Sequence, residues 1–282
     1  ESKRGKVQAI YRYLVRKVLL TPIIIKPVSY FFRHSKITSK EVKPEKTNST
    51  VLLMGGCVQP SLAPNINHSI KNILAKLNIE ALESSQGECC GALDQHLAAS
   101  GDAMKKVKRN IDQWTEQLES GVEVIISSAS GCGVMIKDYP ELFESSDPYY
   151  EKALFISSKT KDIAEFLVEL DLSALNLSEL NVTYHEPCTM QHGQKLGGLV
   201  ESILSEFGYI NKPVKDSHIC CGSAGAYSIF ETKISNQLRS NKIENLNASK
   251  PKMIVTSNIG CLLHLQKGSS VPVKHWVELL DV

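Results

Sequence analysis

Residues 218–227 read HICCGSAGAY, and residues 87–96 read GECCGALDQH. Each stretch carries two adjacent cysteines followed by glycine. Neighbouring cysteines rarely bridge each other, because a disulfide needs separated Cα atoms and a specific torsion. Working outward from each pair gives a frame. Cys57 is separated from Cys89 by 31 residues, and Cys132 follows Cys90 after 41. Cys188 is separated from Cys220 by 31 residues, and Cys261 follows Cys221 after 39. The flanking words correspond: GGCVQP with EPCTMQ, ECCGA with ICCGS, SGCG with IGCL. All 8 cysteines of the chain fall into these two frames, which marks a duplicated structural unit.

The segments between the cysteines alternate in type. STVLLMGG from Ser49, VEVIISSA (122–129), NVTYHE (181–186) and MIVTSN (253–258) are short apolar runs that predict strands. NINHSIKNILAKL (65–77), the stretch through MKKVKRNIDQWTEQLES, GCGVMIKDY, LVESILSEFGY (199–209), FETKISNQLRSNKIENL (230–246) and CLLHLQ predict helices. Continuous apolar strands alternating with amphipathic helices predict an α/β fold: two pseudo-repeated units, each a small parallel sheet flanked by helices. The expected organisation is an arm and linker over 1–48, a first repeat over 49–175 and a second over 176–282.

The formal net charge of +2 conceals an asymmetry. Residues 1–46 hold 12 Lys and Arg against 3 Asp and Glu, whereas the remainder is acidic. Within this arm, Ile10, Leu14 and Val18 recur at helical spacing, and Pro22 and Pro27 break the pattern. Such a helix can meet anionic lipid, dock a partner or pack on the body of the chain, and the segment behind it reads as solvated linker. The first residue is Glu1, from which a processed or truncated start is expected. No signal peptide is visible, and no apolar run reaches the ~18 residues of a spanning helix. A location in the cytoplasm, peripheral at most to the inner face of the membrane, is expected. Eight cysteines in such a setting point to metal binding or catalysis rather than to disulfides.

Each frame brings four thiols from three places: a strand end, a CCG turn and a second strand-to-helix turn. In a parallel sheet these ends lie along one edge. Helix N-termini there favour thiolate, and four converging thiolates suit a soft metal centre. An iron–sulfur cluster and a zinc ion held by four cysteines both satisfy that chemistry. The absence of C-x2-4-C knuckles counts against zinc, and adjacent cysteines suit a cluster, where two sulfurs reach different irons.

The duplicated C…CCG…C frame resembles the cysteine-rich CCG domain of heterodisulfide reductase subunits and of respiratory hydroxy-acid dehydrogenases. The stretches GGCVQPSLAPNIN, ECCGALDQHL, ASGCGVMIKDYP, HEPCTMQHGQKL, CCGSAGAYSIF, SNIGCLLHLQKG and VPVKHWVELLD are most similar to the iron–sulfur subunits of bacterial glycolate oxidases. The resemblance implies an electron-transfer subunit of a complex that oxidises glycolate to glyoxylate. FAD would sit on a partner subunit, and electrons would pass to a quinone or another respiratory acceptor. It implies that Cys57, Cys89, Cys90 and Cys132 hold one iron–sulfur centre, and that Cys188, Cys220, Cys221 and Cys261 hold the other. The fullest form of the motif has a fifth cysteine, but Ala129 and Asn258 stand at those positions, which favours a [4Fe-4S] cubane over a non-cubane cluster. The family's ferredoxin-like module, with two C-x2-C-x2-C-x3-C-P runs, has no counterpart in this sequence, so the chain resembles the C-terminal two-thirds of the family. Three alternatives stay open: a docking module with zinc-filled or vestigial sites, the equivalent subunit of a lactate-oxidising complex, and a thiol–disulfide enzyme of the heterodisulfide reductase kind.

His185, His192, His218, His264 and His275 lie near the cysteine turns, and His218 and His264 are candidates to complete a site in place of Asn258. Asn258 and Gln191 are candidate hydrogen-bond partners of cluster sulfurs. Asp94, Asp138 and Glu186 are expected in surface or turn roles. Neither G-x-G-x-x-G nor a P-loop occurs, so hydride chemistry is expected on another subunit, and no nucleic-acid partner is expected.

Overall fold

A computed structural model describes residues 3–20, 37, 39–84, 89–175 and 179–281. The breaks expected at Pro22 and Pro27, and Gly87 and Glu88 ahead of the first cysteine pair, lie outside these residues. The chain begins with α1 (Lys3–Leu20) and then repeats one plan. The first half runs β1 (Ser49–Leu53), α2 (Asn65–Lys76), β2 (Ile79–Glu83), α3 (Ser100–Glu119), β3 (Ile125–Ser127), α4 (Ser130–Lys137), β4 (Thr160–Asp162) and α5 (Ile163–Leu167). The second runs β5 (Asn181–His185), a π-helical turn over Thr189–Gln194, α6 (Leu199–Glu206), β6 (Ile210–Asn211), α7 (Thr232–Asn247), β7 (Met253–Thr256), α8 (Ile259–Gln266) and β8 (Val273–His275). The two sheets are parallel throughout, with orders β2-β1-β3-β4 and β6-β5-β7-β8.

The central strands form because their side chains are apolar on both faces. Val51 and Leu53 point into a core that also holds Ile66, Ile70 and Ile163 of the first half and Tyr184, Ile254, Leu262 and Trp276 of the second. Leu52 and Ile125 point the other way, against Val107, Ile111 and Trp114 of α3 and against Ile136 and Tyr139. The period of two along β1 therefore packs the first sheet against the second half on one side and against its own helices on the other. The first and second halves thus share one apolar core.

Four strands escape the apolar-run reading. β4 (TKD), β6 (IN) and β8 (VKH) are two or three residues long and partly polar, while Glu80 and Glu83 interrupt β2. They sit at sheet edges, where one neighbour suffices and short polar strands discourage further pairing. The strand expected over 122–129 narrows to Ile125–Ser127.

α1 packs on the body of the chain. Arg16 is buried, and its Nη1 lies 2.7 Å from Asp102 and 3.3 Å from Asp94. Tyr11 meets Phe230 edge-on at 5.1 Å between centroids. The helix therefore touches the segments just beyond both cysteine pairs.

Polar contacts tie the halves together. Ser130 Oγ hydrogen-bonds Thr189 Oγ1 at 2.7 Å, and Asn258 Nδ2 donates to Ser130 Oγ at 3.1 Å. Asp162 and His275 occupy equivalent places, each pairing with the last residue of the third strand and each followed three residues later by a glutamate that accepts its backbone N–H. Asp162 accepts from Gln194 Nε2 at 3.2 Å, and His275 Nε2 lies 2.9 Å from Ser128 O. Burial brings His275 down to about 4, so it is neutral and donates this bond.

Burial lifts the Asp162 carboxyl from 3.8 to about 6. The folded chain then keeps a proton that the unfolded chain releases. Its stabilisation is complete below pH 3.8 and is lost as pH rises through 6. Asp162→Asn keeps a capping oxygen, so urea titrations should show the wild type losing up to about 3 kcal/mol against this variant over that range.

Gly222 has φ +90°, and a Cβ there would stand 2.5 Å from Ser235 O and 3.0 Å from Leu238 Cβ. Gly91, its counterpart, shares φ +90° and faces Ala103 O at 3.4 Å. Gly222→Ala should destabilise the chain by about 3 kcal/mol in urea unfolding, through backbone strain and overlap together. Gly121→Ala, where φ is +111° and no atom lies within 4 Å, should cost about 1 kcal/mol.

Candidate metal centres

In each sheet the strand order reverses between the first and third strands, at β1/β3 and at β5/β7. Loops leaving neighbouring strands part there, which opens a crevice at their carboxyl ends. Cys57 lies four residues beyond β1 and Cys132 in the first turn of α4 after β3. Cys188 lies three residues beyond β5 and Cys261 in the first turn of α8 after β7. The CCG turns close the set, each directed by a glycine in the left-handed region.

All eight cysteines are free thiols, and each set of four makes the same chain of contacts. In the first, Cys57 hydrogen-bonds Cys89, Cys89 is bonded by Cys90, and Cys90 Sγ donates to Cys132 Sγ at 3.3 Å. In the second, Cys188 bonds Cys220, Cys220 is bonded by Cys221, and Cys221 bonds Cys261. One inner sulfur of each chain is a thiolate, and in the second set hydrogen bonds from Cys221 and His185 also bring Cys261 down to about 6. Hydrogen bonds from Cys57 and Cys90 bring Cys89 down to about 2, and those from Cys188 and Cys221 do the same for Cys220. The donors move the other way: the bond to Cys89 raises Cys57, the bond to Cys132 raises Cys90, and the bonds to Cys220 raise Cys188 and Cys221. Thiols sharing protons with neighbouring thiolates are what a metal-binding set looks like before the metal displaces those protons.

The surroundings hold each turn in place. In the first, Asn110 Nδ2 donates to Cys89 O at 3.0 Å, and the buried Tyr139 hydroxyl donates to Cys90 O at 3.0 Å. Lys106 ion-pairs with the buried Asp94 at 2.5 Å and lies close enough to Cys89 to favour its thiolate. In the second, Lys242 is buried and donates to Asp216 O at 2.7 Å and to Ser217 O at 3.2 Å. Asn110 and Lys242 are equivalent, each seven residues beyond the helix residue that faces the CCG glycine. The sequence carried a signal for both: a polar side chain in phase with the buried face of its helix.

A cavity of about 110 Å³ opens beside the first set, between Cys57, Gln59, Ser128 and Cys132 and, from the second half, Ile259. Ala129 lines it too.

The other candidates fall out differently. His264 binds Ser235 Oγ at 3.1 Å, and His275 belongs to the contact between the halves. Asn258 caps α8 by accepting from Gly260 N at 2.8 Å, and Gln191 donates to Glu186 O and Ser217 O. Those two side chains are therefore engaged with backbone and serine rather than with sulfur. Glu186 keeps a turn role, accepting from Gly198 N, and Asp138 lies at the start of the 3-10 turn Tyr139–Leu142. Asp94 is no surface residue: it is 1% exposed and joins Arg16 to Lys106. His185 is the histidine that meets the sulfurs, in a group with Cys221 and Cys261 whose donor atoms lie within 4.8 Å of one another.

The family model described as "Cysteine-rich domain" (CCG) matches residues 51–137 and 182–266. The chain is 37% identical over 275 residues to the glycolate oxidase iron–sulfur subunit of Escherichia coli (strain K12), covering 97% of this chain and 68% of that protein. It is 27% identical to the probable glycolate oxidase iron–sulfur subunit of Bacillus subtilis (strain 168), covering 94% of this chain and 59% of that protein. Lactate utilization protein A of the same organism is 24% identical, with 82% of this chain and 98% of that protein covered. Among solved structures, a putative Asp/Glu racemase from Yersinia pestis covers 83% of this chain and 96% of its own at 15% identity, with a TM-score of only 0.36.

Asn110→Ala should leave the buried Cys89 carbonyl without its donor and open a small void. A loss of about 2 kcal/mol in urea unfolding is expected, with faster amide hydrogen exchange confined to the first CCG turn.

Proposed function

This chain belongs to the cysteine-rich (CCG) domain family, and from that premise we propose that it is the electron-transfer part of an iron–sulfur subunit in an oxidase complex. The substrate of the complex is proposed to be glycolate, oxidised to glyoxylate. The observation that carries this reading is the pair of matched four-sulfur sets at the switch points of two parallel sheets. Relatives named as glycolate oxidase iron–sulfur subunits support it.

The residues present fit a soft metal centre. Each set is four free sulfurs joined by a chain of pairwise contacts, with no disulfide to break and a thiolate already formed at Cys89 or Cys220. On this reading Cys57, Cys89, Cys90 and Cys132 hold one centre in the unit 49–175. Cys188, Cys220, Cys221 and Cys261 hold the other in the unit 176–282. A bound [4Fe-4S] cluster would supply reversible one-electron storage at each set. The chain's own residues do the rest. Asn110 and Tyr139 fix the backbone of the first turn, and Lys242 fixes the second. The ammonium groups of Lys106 and Lys242 offset the charge that four thiolates bring into a buried place. Burial of Cys89, Cys90, Cys221 and Cys261 keeps water from the sulfurs.

Hydride removal from a 2-hydroxy acid needs an organic acceptor, for which we propose FAD on a partner subunit, with a quinone or other respiratory acceptor downstream. No helix among the described residues is long and apolar enough to cross a membrane, so membrane association of the complex is proposed to be peripheral, on the inner face.

Anaerobic reconstitution with iron and sulfide tests the reading. About four iron and four sulfide per set are expected, with broad absorption near 400 nm. Cys220→Ser should lose about half of the metal and keep the first set loaded. Unchanged iron in that variant, or zinc without iron in the wild type, would overturn the assignment and favour a retained docking scaffold.

A further inference from the structure

The strand registers align the two halves residue by residue. Leu53 pairs with Ile126 in the first sheet, and Tyr184 pairs with Val255 in the second. Met54 and His185 are therefore equivalent, each three residues before the first cysteine of its set. Both are buried, at 3% and 2% exposure. The thioether and the imidazole stand in the same place beside otherwise matched sulfurs.

The imidazole is not at rest as an ordinary core group. The ring of His185 already hydrogen-bonds the Cys261 sulfur, yet its Nε2 has no hydrogen-bond partner among the described residues. Leaving a buried ring nitrogen unpaired costs about 1–3 kcal/mol, so such a group calls for an explanation. Its surroundings offer one. A ring nitrogen of His185 and the sulfurs of Cys221 and Cys261 lie within 4.8 Å of one another. All three residues are buried, at 2%, 1% and 8% exposure. Imidazole and thiolate together are the donors of borderline first-row cations, Zn²⁺ and Fe²⁺ above all. Met54 gives the first set no such nitrogen.

We propose that the second centre is a mixed imidazole–thiolate site, in which His185 bonds the metal held by Cys221 and Cys261 while the first centre is bound by sulfur alone. The proposal rests on the metal-centre reading above. Cys188 and Cys220 complete the donor set through the chain of contacts that leads to Cys221. The metal is a first-row cation, either alone or as one iron of a cluster. The imidazole is neutral, so it adds a donor to the second centre without adding charge to the four thiolates. Lys242 raises the potential of this centre. It is a buried ammonium hydrogen-bonded to carbonyls, whereas Lys106 at the first centre is paired with Asp94. The second centre is then the better electron acceptor of the two.

The test uses the whole chain grown with ¹⁵N-histidine and loaded in two ways, with iron and sulfide and with cobalt(II) alone. His185→Met serves as the variant, since methionine already fills the equivalent place in the first half. Circular dichroism and thermal melting check that it folds, and His185→Gln provides a second substitution. In the iron-loaded protein, pulsed EPR should detect strong nitrogen coupling at one of two centres. The coupling should vanish in His185→Met, and the potential of that centre alone should shift. Cobalt affinity at the second site should drop by more than about 100-fold, beyond the 10–100-fold typical of a residue that only orients a ligand. If iron–sulfur centres load fully without nitrogen coupling and both variants leave the spectra unchanged, the proposal is overturned while the iron–sulfur reading stands. If only cobalt or zinc binds, with one nitrogen in its X-ray absorption spectrum, His185 is confirmed as a ligand and the iron–sulfur reading falls. If the wild type binds no metal of either kind, both fall.

Discussion

The arrangement depends on one geometric constraint: four sulfurs from three distant segments must meet at one point. Within each half the cysteines are separated by 31 residues and then by 41 or 39. A parallel sheet whose order reverses between its first and third strands satisfies this without strain. Two chain segments rise side by side, part at the carboxyl edge and each leave a cysteine there. The CCG turn then has to approach from the side, over the helix that follows it. That approach forces glycine after the cysteines, since at Gly222 a Cβ would overlap the backbone of α7. Turn, helix and strands are therefore fixed by the same requirement.

Duplication explains the matched sulfurs, and divergence explains what surrounds them. The positions that differ are those one step removed from the thiols. Met54 answers His185, and Asn110 answers Lys242. Asp162 answers His275. The last pair shows how a shared interior tolerates the change. Asp162 is engaged by Gln194 from the second half, and His275 is engaged by Ser128 from the first. Each half thus places a titratable group in the common interior and receives its partner from the other. An exact repeat of Asp162 would put two carboxylates in that interior, and burial would penalise both charges.

Much of this was legible in the sequence for a physical reason. β1, β3, β5 and β7 lie inside their sheets, and apart from Ser127, Thr183, His185 and Thr256 their buried residues are apolar or aromatic, so a simple hydropathy run finds them. The cysteine spacing is a discrete signal that survives where hydropathy blurs. The edge strands were not legible, because TKD and VKH are too short and too polar to announce themselves. The histidines show the limit of reading by proximity in the chain. His218 and His264 stand nearer to cysteines in sequence than His185 does to Cys221 or Cys261. Yet His264 turns to Ser235, and His185 reaches the sulfurs from the end of a strand. Adjacency along a helix or turn says little about direction, whereas the last residue of an inner strand faces whatever sits at the switch point. The ion pairs of Arg16 with Asp94 and Asp102 were equally invisible, being set by a helix that packs 78 and 86 residues away from its partners.

The same reasoning bears on why α1 matters. Its residues Arg16 and Tyr11 contact Asp94, just beyond the first cysteine pair, and Phe230, just beyond the second. Asp94 in turn holds Lys106, whose charge favours the Cys89 thiolate. Arg16 and Lys106 thus compete for one buried carboxylate. With Arg16 in place, less of the Asp94 charge is free to neutralise Lys106, and more of the lysine's field acts on the sulfurs. A helix carrying basic residues can therefore influence the first set without touching it. At the second set Lys242 is hydrogen-bonded to backbone oxygens, and among the described residues the Asp216 carboxylate acts on it through its field alone. α1 thus meets the two halves unequally, through the Asp94 ion pairs in one and through an aromatic edge contact in the other.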